Sequence, residues 1–204
     1  MRTFEAMKYE LKRWKVFQSI KHKHIPYLTL WYPLCVSVFF SIAYLFWPTM
    51  LSITDDNGFI DKINNIVLIL PAFFLAALAA IATFNRSELD ILPEDYDHLE
   101  MEMRVKGKMM VLPLTSRMFL TSLFSYLTGI SFIILLFSSI VSLFWPGVHK
   151  IIALLVPGTP TLIAKEIADG IVVFFITLLF SRVIFCGAYG LYFLSEKILR
   201  PNDV

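Results

Sequence analysis

The sequence has few charged residues, and this scarcity limits the kind of protein it can encode. Only 17% of its 204 residues are charged, whereas a soluble domain of ordinary composition has about 25%. Apolar residues make up 57% of the chain, and the mean hydropathy is +0.70. A composition of this kind argues against a soluble globular enzyme.

The residue patterns on which catalysis depends are also missing. The sequence has no phosphate-binding glycine loop, no dinucleotide-binding glycine motif, no zinc-protease motif and no nucleophile elbow. Its two cysteines, Cys35 and Cys186, lie in apolar runs and are interpreted as small buried side chains. His22 and His24 lie in a basic arm without further metal ligands nearby. We therefore expect a non-enzymatic protein with no cofactor and no metal site.

Long uncharged runs are what the sequence does contain. Residues 25–54, 63–85 and 118–148 carry no charged side chain, and each run exceeds the roughly 20 residues that cross a bilayer as a helix. The prediction is an all-α membrane protein, a bundle of four transmembrane helices at 27–48, 63–84, 118–145 and 170–194. The first and third spans end in Phe-Trp-Pro, and each proline is expected to stop its helix. For residues 151–164 an interfacial or re-entrant segment stays open as an alternative.

The distribution of lysine and arginine predicts the orientation in the membrane. The arm 1–26, the loop 85–117 and the tail 195–204 hold seven, five and two of these residues, whereas the connections on the other side hold one and two. We therefore expect both termini and the loop 85–117 in the cytoplasm. This divides the membrane part into two transmembrane hairpins, 27–84 and 118–194.

Arg182 is the one ionisable residue inside a predicted span, since no Asp, Glu or His falls within these boundaries. It is a candidate functional residue because charge at bilayer depth is costly. It could pack against polar residues of the third span or line a hydrated cavity between subunits. Alternatively, the fourth helix is shifted and Arg182 snorkels to the interface. The polar candidates on the third span are Ser122, Ser125, Tyr126 and Thr128.

The basic arm has the pattern of an amphipathic helix. Phe4, Met7, Leu11 and Trp14 share one helical stripe, and the lysines lie elsewhere around the helix. Such a helix is expected on the cytoplasmic leaflet, bound to anionic lipid. Direct binding of nucleic acid is not expected at a membrane surface. The predicted surface residues are Lys8, Lys12, Trp14 and Lys15.

The loop 85–117 contains an alternating segment. Apolar and charged residues alternate over 99–106, and Gly107 then provides a turn, so the pattern predicts a small cytoplasmic β-hairpin between spans two and three. Two strands alone are marginally stable in water. The hairpin is therefore expected to pair with other copies or with a partner protein; a stiff connector without a partner is the alternative. The candidate docking residues are Glu100, Glu102, Arg104, Lys106 and Lys108.

This layout resembles the membrane subunits of the Kiwa anti-phage defence system. The resemblance covers the basic arm Arg2–Lys23, the four spans and the loop Asn85–Arg117. It implies a homo-oligomer in the bacterial inner membrane that senses phage attachment or membrane disturbance. It also implies recruitment of a cytoplasmic DNA-binding effector, with the arm and the loop as the docking surface.

Two other classes remain as alternatives. One is an oligomeric pore or membrane-disrupting effector, in which a ring of Arg182 side chains would favour anions. The other is a small transporter, which the absence of acidic residues from the predicted spans disfavours.

Overall fold

The computed structural model describes residues 27–46, 53, 58–83, 100–105, 108–113, 115–155 and 160–199. Four helical segments in these ranges are long and apolar enough to cross a membrane: Thr29–Phe46, Phe59–Thr83, Ser116–Leu155 and Thr161–Ser195. The chain is thus a helical, multi-pass membrane protein, as the uncharged runs predicted. The basic arm, with Lys8, Lys12, Trp14 and Lys15, lies outside the described residues.

The first span begins with a wide turn. Residues Tyr27–Trp31 form a π-helical turn that leads directly into helix α1, Tyr32–Phe46. Pro33 follows this turn, and its ring nitrogen cannot donate the backbone hydrogen bond that a regular α-helix would place there. The irregular turn is therefore a local consequence of the proline.

The second span consists of two helices, α2 (Phe59–Val67) and α3 (Leu70–Thr83). They are separated by a turn just before Pro71, where the amide of Ile69 donates to the carbonyl of Ile66 at 3.3 Å. The span starts at Phe59, four residues earlier than predicted. Asp61 consequently lies in the first helical turn, where its charge complements the positive end of the helix dipole.

The third and fourth spans are much longer than predicted. Helix α4 runs from Ser116 to Leu155 and helix α5 from Pro160 to Leu199, 40 residues each, which corresponds to about 60 Å. The prediction that Pro146 ends the third helix is wrong, since Pro146 lies inside α4. Of the segment 151–164, residues 151–155 belong to α4 and residues 160–164 to α5.

The continuation of α4 through Pro146 has a physical cause in its neighbours. An internal proline removes one backbone hydrogen bond, and membrane helices tolerate this where surrounding groups compensate. Trp145 and His149 lie on either side of the proline, and both side chains bind Asp169 of α5. Contacts to a second helix thus hold the turn that contains the proline.

The loop between the second and third spans contains two strands. Strand β1 (Glu100–Val105) pairs antiparallel with β2 (Lys108–Pro113), with Glu100 opposite Pro113 and Val105 opposite Lys108. They lie where the alternating pattern and Gly107 predicted a hairpin. The structure describes the backbone of these strands; their side chains and Lys106 lie outside it.

The long helices α4 and α5 form the centre of the bundle. Buried residues account for 39% and 44% of their apolar segments, against 22% in each of the flanking spans. Helix α1 packs mainly on α5, whereas α2 and α3 pack on α4. At the contact between α4 and α5, a Cβ atom on Gly190 would lie 2.6 Å from Cδ2 of Leu123, so a larger residue there would require the Leu123 side chain to move.

Neighbouring helices run antiparallel, so the bundle has two distinct ends. At the hairpin end, next to β1 and β2, a guanidinium nitrogen of Arg117 donates to the carbonyl of Ile81 at 3.1 Å. At the opposite end, which we call the tip end, α1 finishes at Phe46. Helix α4 continues there for ten residues beyond Trp145, about 15 Å.

Candidate functional site

One carboxylate at the tip end joins three helices. Oδ1 of Asp169 accepts a hydrogen bond from Nε1 of Trp145 at 2.6 Å and lies 2.8 Å from Nε2 of His149. Oδ2 accepts from the hydroxyl of Tyr44 at 3.2 Å. These four residues, Tyr44, Trp145, His149 and Asp169, are called the Asp169 cluster. It connects α1, α4 and α5 through a single side chain.

The local sequence explains how the cluster is built. Trp145 and His149 are four residues apart and therefore lie on the same face of α4, with ring centroids 5.6 Å apart in an edge-to-face arrangement. Asp169 is on the neighbouring helix at the same height, and Tyr44 is in the last turn of α1. The four side chains meet because three antiparallel helices bring them to one level.

The cluster is mostly buried but retains some access. The Asp169 side chain is 13% exposed and the His149 side chain 30% exposed, while Tyr44 is buried. Hydrogen bonds to an ionised acceptor are roughly twice as strong as neutral ones. A protonated His149 would form an ion pair with Asp169. The arrangement therefore couples the positions of three helices to one carboxylate.

Arg182 has the opposite environment. Its guanidinium carbon lies 5.9 Å from the ring centroid of Tyr126, an arrangement typical of a cation–π contact. Its Nε atom is buried and has no hydrogen-bond partner within the part of the chain that the structure describes. The structure thus brings Arg182 to one of the residues predicted to receive it.

The predicted hydroxyl partners of Arg182 bond elsewhere. The hydroxyl of Ser122 donates to the carbonyl of Phe119 at 2.8 Å, and that of Thr128 donates to the carbonyl of Phe124, also at 2.8 Å. Ser125 is exposed on α4. Serine and threonine hydroxyls in helices commonly bond to a carbonyl one turn earlier. Ser122 and Thr128 are therefore bonded within their own helix, and the described contact with Arg182 comes from Tyr126.

The candidate docking residues lie on the hairpin or next to it. Glu100, Glu102 and Arg104 belong to β1, Lys108 begins β2, and Lys106 lies between the described strands. By register, Glu102 is opposite Val111 and Arg104 is opposite Met109. These positions share one short element at the end of the bundle opposite the Asp169 cluster.

The sequence analysis missed the Asp169 cluster. It placed the start of the fourth span at residue 170, whereas the apolar segment that includes α5 begins at Thr161 and contains Asp169. The boundary predicted at residue 170 therefore left Asp169 outside a helix that in fact contains it. The available signal was the spacing of Trp145 and His149 one turn apart, followed by an aspartate on the next helix. Among the described residues no group of three or more His, Cys, Asp or Glu side chains could hold a metal ion.

Comparison of the chain with protein-family models, with curated proteins and with solved structures found no match.

Proposed function

We propose that the protein is a non-enzymatic membrane subunit of a bacterial anti-phage defence system. It would sense phage attachment or membrane disturbance from the inner membrane and recruit a cytoplasmic DNA-binding effector. The observation that supports this most is the continuity of α4 and α5. Both helices run from the Asp169 cluster at the tip end to the hairpin end.

Two continuous helices are suited to transmitting a change over this distance. Packed helices respond to a bias at one end by shifting as rigid bodies rather than by deforming locally. Breaking or rearranging the hydrogen bonds of Asp169 would free α1 and α4 from α5 at the tip end. The displacement would then reach Ser116, the first residue of α4, which two residues separate from the end of β2.

The orientation in this proposal rests on the charge distribution. The arm, the hairpin loop and the tail carry most of the lysine and arginine, so the positive-inside rule favours the cytoplasm for the hairpin end. The tip end, with the Asp169 cluster, then faces the outside. A homo-oligomer would place several hairpins side by side beneath the membrane, with the arm on anionic lipid.

The hairpin gives the partner interaction a direct test. The protein is co-expressed with the product of the adjacent reading frame and purified in mild detergent. We expect a soluble partner to co-purify with the wild type and to be lost when residues 88–112 are deleted. Arg182→Leu is the matched control, since it leaves the hairpin unchanged. A deleted protein that elutes as the wild type does and still retains the partner would overturn the docking role.

An anion-selective pore is the second candidate, and one observation favours it. The Nε atom of Arg182 is buried without a hydrogen-bond partner within the described residues, as expected of a residue whose ligand arrives from elsewhere. Conductance of protein-containing liposomes separates the two functions. A chloride current in the wild type that Arg182→Leu abolishes would support the pore. A small transporter would instead give accumulation of a solute without channel-like current.

A further inference from the structure

Arg182 lies too deep in the bundle to reach either membrane surface. Thirteen residues separate it from Asp169 at the tip end, and fourteen separate it from Glu196, which corresponds to about 20 Å in each direction along α5. An extended arginine side chain reaches only a fraction of that distance. Lipid phosphates, which lie outside the hydrocarbon core, are consequently not its partners.

Its own chain supplies no carboxylate at this depth within the described residues. Asp61 lies one turn beyond Asn64, whose amide oxygen accepts a hydrogen bond from Ser138. Ser138 is twelve residues along α4 from Tyr126, about 18 Å towards the tip end. Asp169 and Glu166 lie at the tip end as well. Arg182 therefore has the tyrosine ring and no described acid.

A second copy of the chain has the same limitation. Copies inserted in the same orientation place equal residues at equal depth, so Arg182 of one copy would face positions at the level of Tyr126 in the other. The carboxylates of Asp61 and Asp169 would again be about 18 Å or more away in depth. Among the described residues, a second copy therefore offers the guanidinium no acidic partner.

The α5 face that carries Arg182 is accessible on the tip-end side of this residue, whereas towards the hairpin end the same face is buried at Cys186 and Phe193. Ile171, Phe175 and Arg182 follow at spacings of four and seven residues and therefore share one face of α5. Ile171 is 52% exposed and Phe175 49% exposed. An apolar helix could pack along these residues and bring a carboxylate to the level of Arg182. In hydrocarbon, charged residues are found paired with one another because leaving either alone is costly.

We propose that Arg182 binds a carboxylate near the middle of a membrane-spanning helix that belongs to a different protein. The occupant is thus a single transmembrane helix with a central Asp or Glu and apolar residues on the same face. Charge complementarity sets the depth of docking, and the exposed stretch of α5 at Ile171 and Phe175 provides the packing surface.

The test uses a defined probe and the full-length protein. The probe is a synthetic membrane-spanning peptide of leucine and alanine with lysines at both ends and one glutamate at its centre. Its matched control has glutamine at the same position, and a third peptide has the glutamate near one end. Labelled peptide and labelled protein are reconstituted in phosphatidylcholine vesicles at pH 8, and binding is followed by energy transfer.

With the wild type we expect the central-glutamate peptide to bind about tenfold more tightly than the glutamine peptide. The terminal-glutamate peptide should behave like the glutamine peptide. The preference should vanish in Arg182→Leu and persist in part in Arg182→Lys, which keeps the charge but not the planar fork. Circular dichroism checks that the leucine variant is folded.

Three results would overturn the proposal. The first is equal binding of the glutamate and glutamine peptides to the wild type. The second is a preference for glutamate that survives in Arg182→Leu. The third is association between copies of the protein, seen as energy transfer without peptide, that depends on Arg182 and prevents peptide binding. A second copy would then be the occupant.

Discussion

Asp169 and Arg182 lie on the same helix, and their charged groups have opposite surroundings. The carboxylate of Asp169 has three hydrogen-bonding neighbours from two other helices, with contacts of 2.6, 2.8 and 3.2 Å. The guanidinium of Arg182 has a tyrosine ring at 5.9 Å and a buried Nε without a described partner. The first charge is part of the architecture of the free chain. The second charge has one described contact, with the Tyr126 ring.

We therefore expect Asp169 to contribute to the stability of the fold and Arg182 to contribute to function instead. Breaking a satisfied buried charge network is strongly destabilising, whereas replacing an unsatisfied buried charge with an apolar residue is often neutral or stabilising. Substitutions at the two positions should therefore change the thermal stability of the protein in opposite directions. The following variants test that contrast, in order of decreasing effect.

Asp169→Ala should give the largest loss. It leaves the Tyr44 hydroxyl, the Trp145 indole and the His149 ring without their shared acceptor, at a cost of about 3 kcal/mol. The apparent unfolding midpoint in detergent should fall by about 6–12 °C. Glu166→Ala is the matched control, because Glu166 is exposed on the same helix. An equal fall in both variants would show that the cluster is not what holds α1 and α4 to α5.

Arg182→Leu should change the stability in the other direction. The substitution removes a costly charge from the middle of the bundle and forfeits only the contact with Tyr126, so we expect the same stability or a gain of about 1–2 kcal/mol. The unfolding midpoint in the same detergent is the measurement. Arg117→Leu serves as the comparison, since Arg117 does donate to a backbone carbonyl and should lose stability. If the unfolding midpoint of Arg182→Leu lay clearly below that of the wild type, the expected contrast between Arg182 and Asp169 would be wrong.

Trp145→Phe should cost about 1–1.5 kcal/mol. The phenyl ring keeps most of the packing, but the Nε1 donor at 2.6 Å from Asp169 is lost. Chemical unfolding in mixed micelles gives the free energy of unfolding. Trp31→Phe, at an exposed position, should change it by less than about 0.5 kcal/mol. Equal values for the two tryptophans would mean that the indole hydrogen bond contributes nothing.

Tyr44→Phe should have the smallest measurable effect, about 0.5–1 kcal/mol. The hydroxyl donates to Asp169 at 3.2 Å, the longest contact of the cluster, and the ring stays buried. The same unfolding assay applies, with Tyr32→Phe as the exposed counterpart. In Asp169→Ala the Tyr44 substitution should have almost no further effect, because its acceptor is already gone. Full additivity would indicate that the two residues act independently.

The positions of the four spans could be predicted from the sequence because charge is excluded from the hydrocarbon core. The residues at which the helices end could not be predicted in this way. Phe-Trp-Pro occurs at residues 46–48 and again at 144–146; α1 ends at Phe46, whereas α4 continues through Pro146. The second proline is tolerated because Trp145 and His149 bind Asp169. A local signal was thus overridden by a contact to another helix, which no pattern within α4 contains.

Arg182 and Asp169 also show that a pattern within one helix does not predict contacts to another helix. Arg182 is isolated within an apolar run, so its contact with Tyr126 on the third span could be anticipated, whereas the hydroxyls of Ser122 and Thr128 bond to backbone carbonyls. Asp169 is the last charge before such a run, and the sequence analysis placed it in a connecting segment. Asp169 meets its partners because α1, α4 and α5 pack with these residues at the same level. That level depends on the lengths of the helices, and α4 and α5 extend past the uncharged runs.

The pairing of α1 with α5 affects how the chain is assembled in the membrane. The hydrogen bond between Tyr44 and Asp169 joins residues 125 positions apart in the sequence, and α5 is the main packing partner of α1. During synthesis, α1 is therefore complete long before its partner exists. A chain cut before Pro160 would contain the first span without the helix on which that span packs. Among the described helices, α1 is made first and is among the last to be fixed in place.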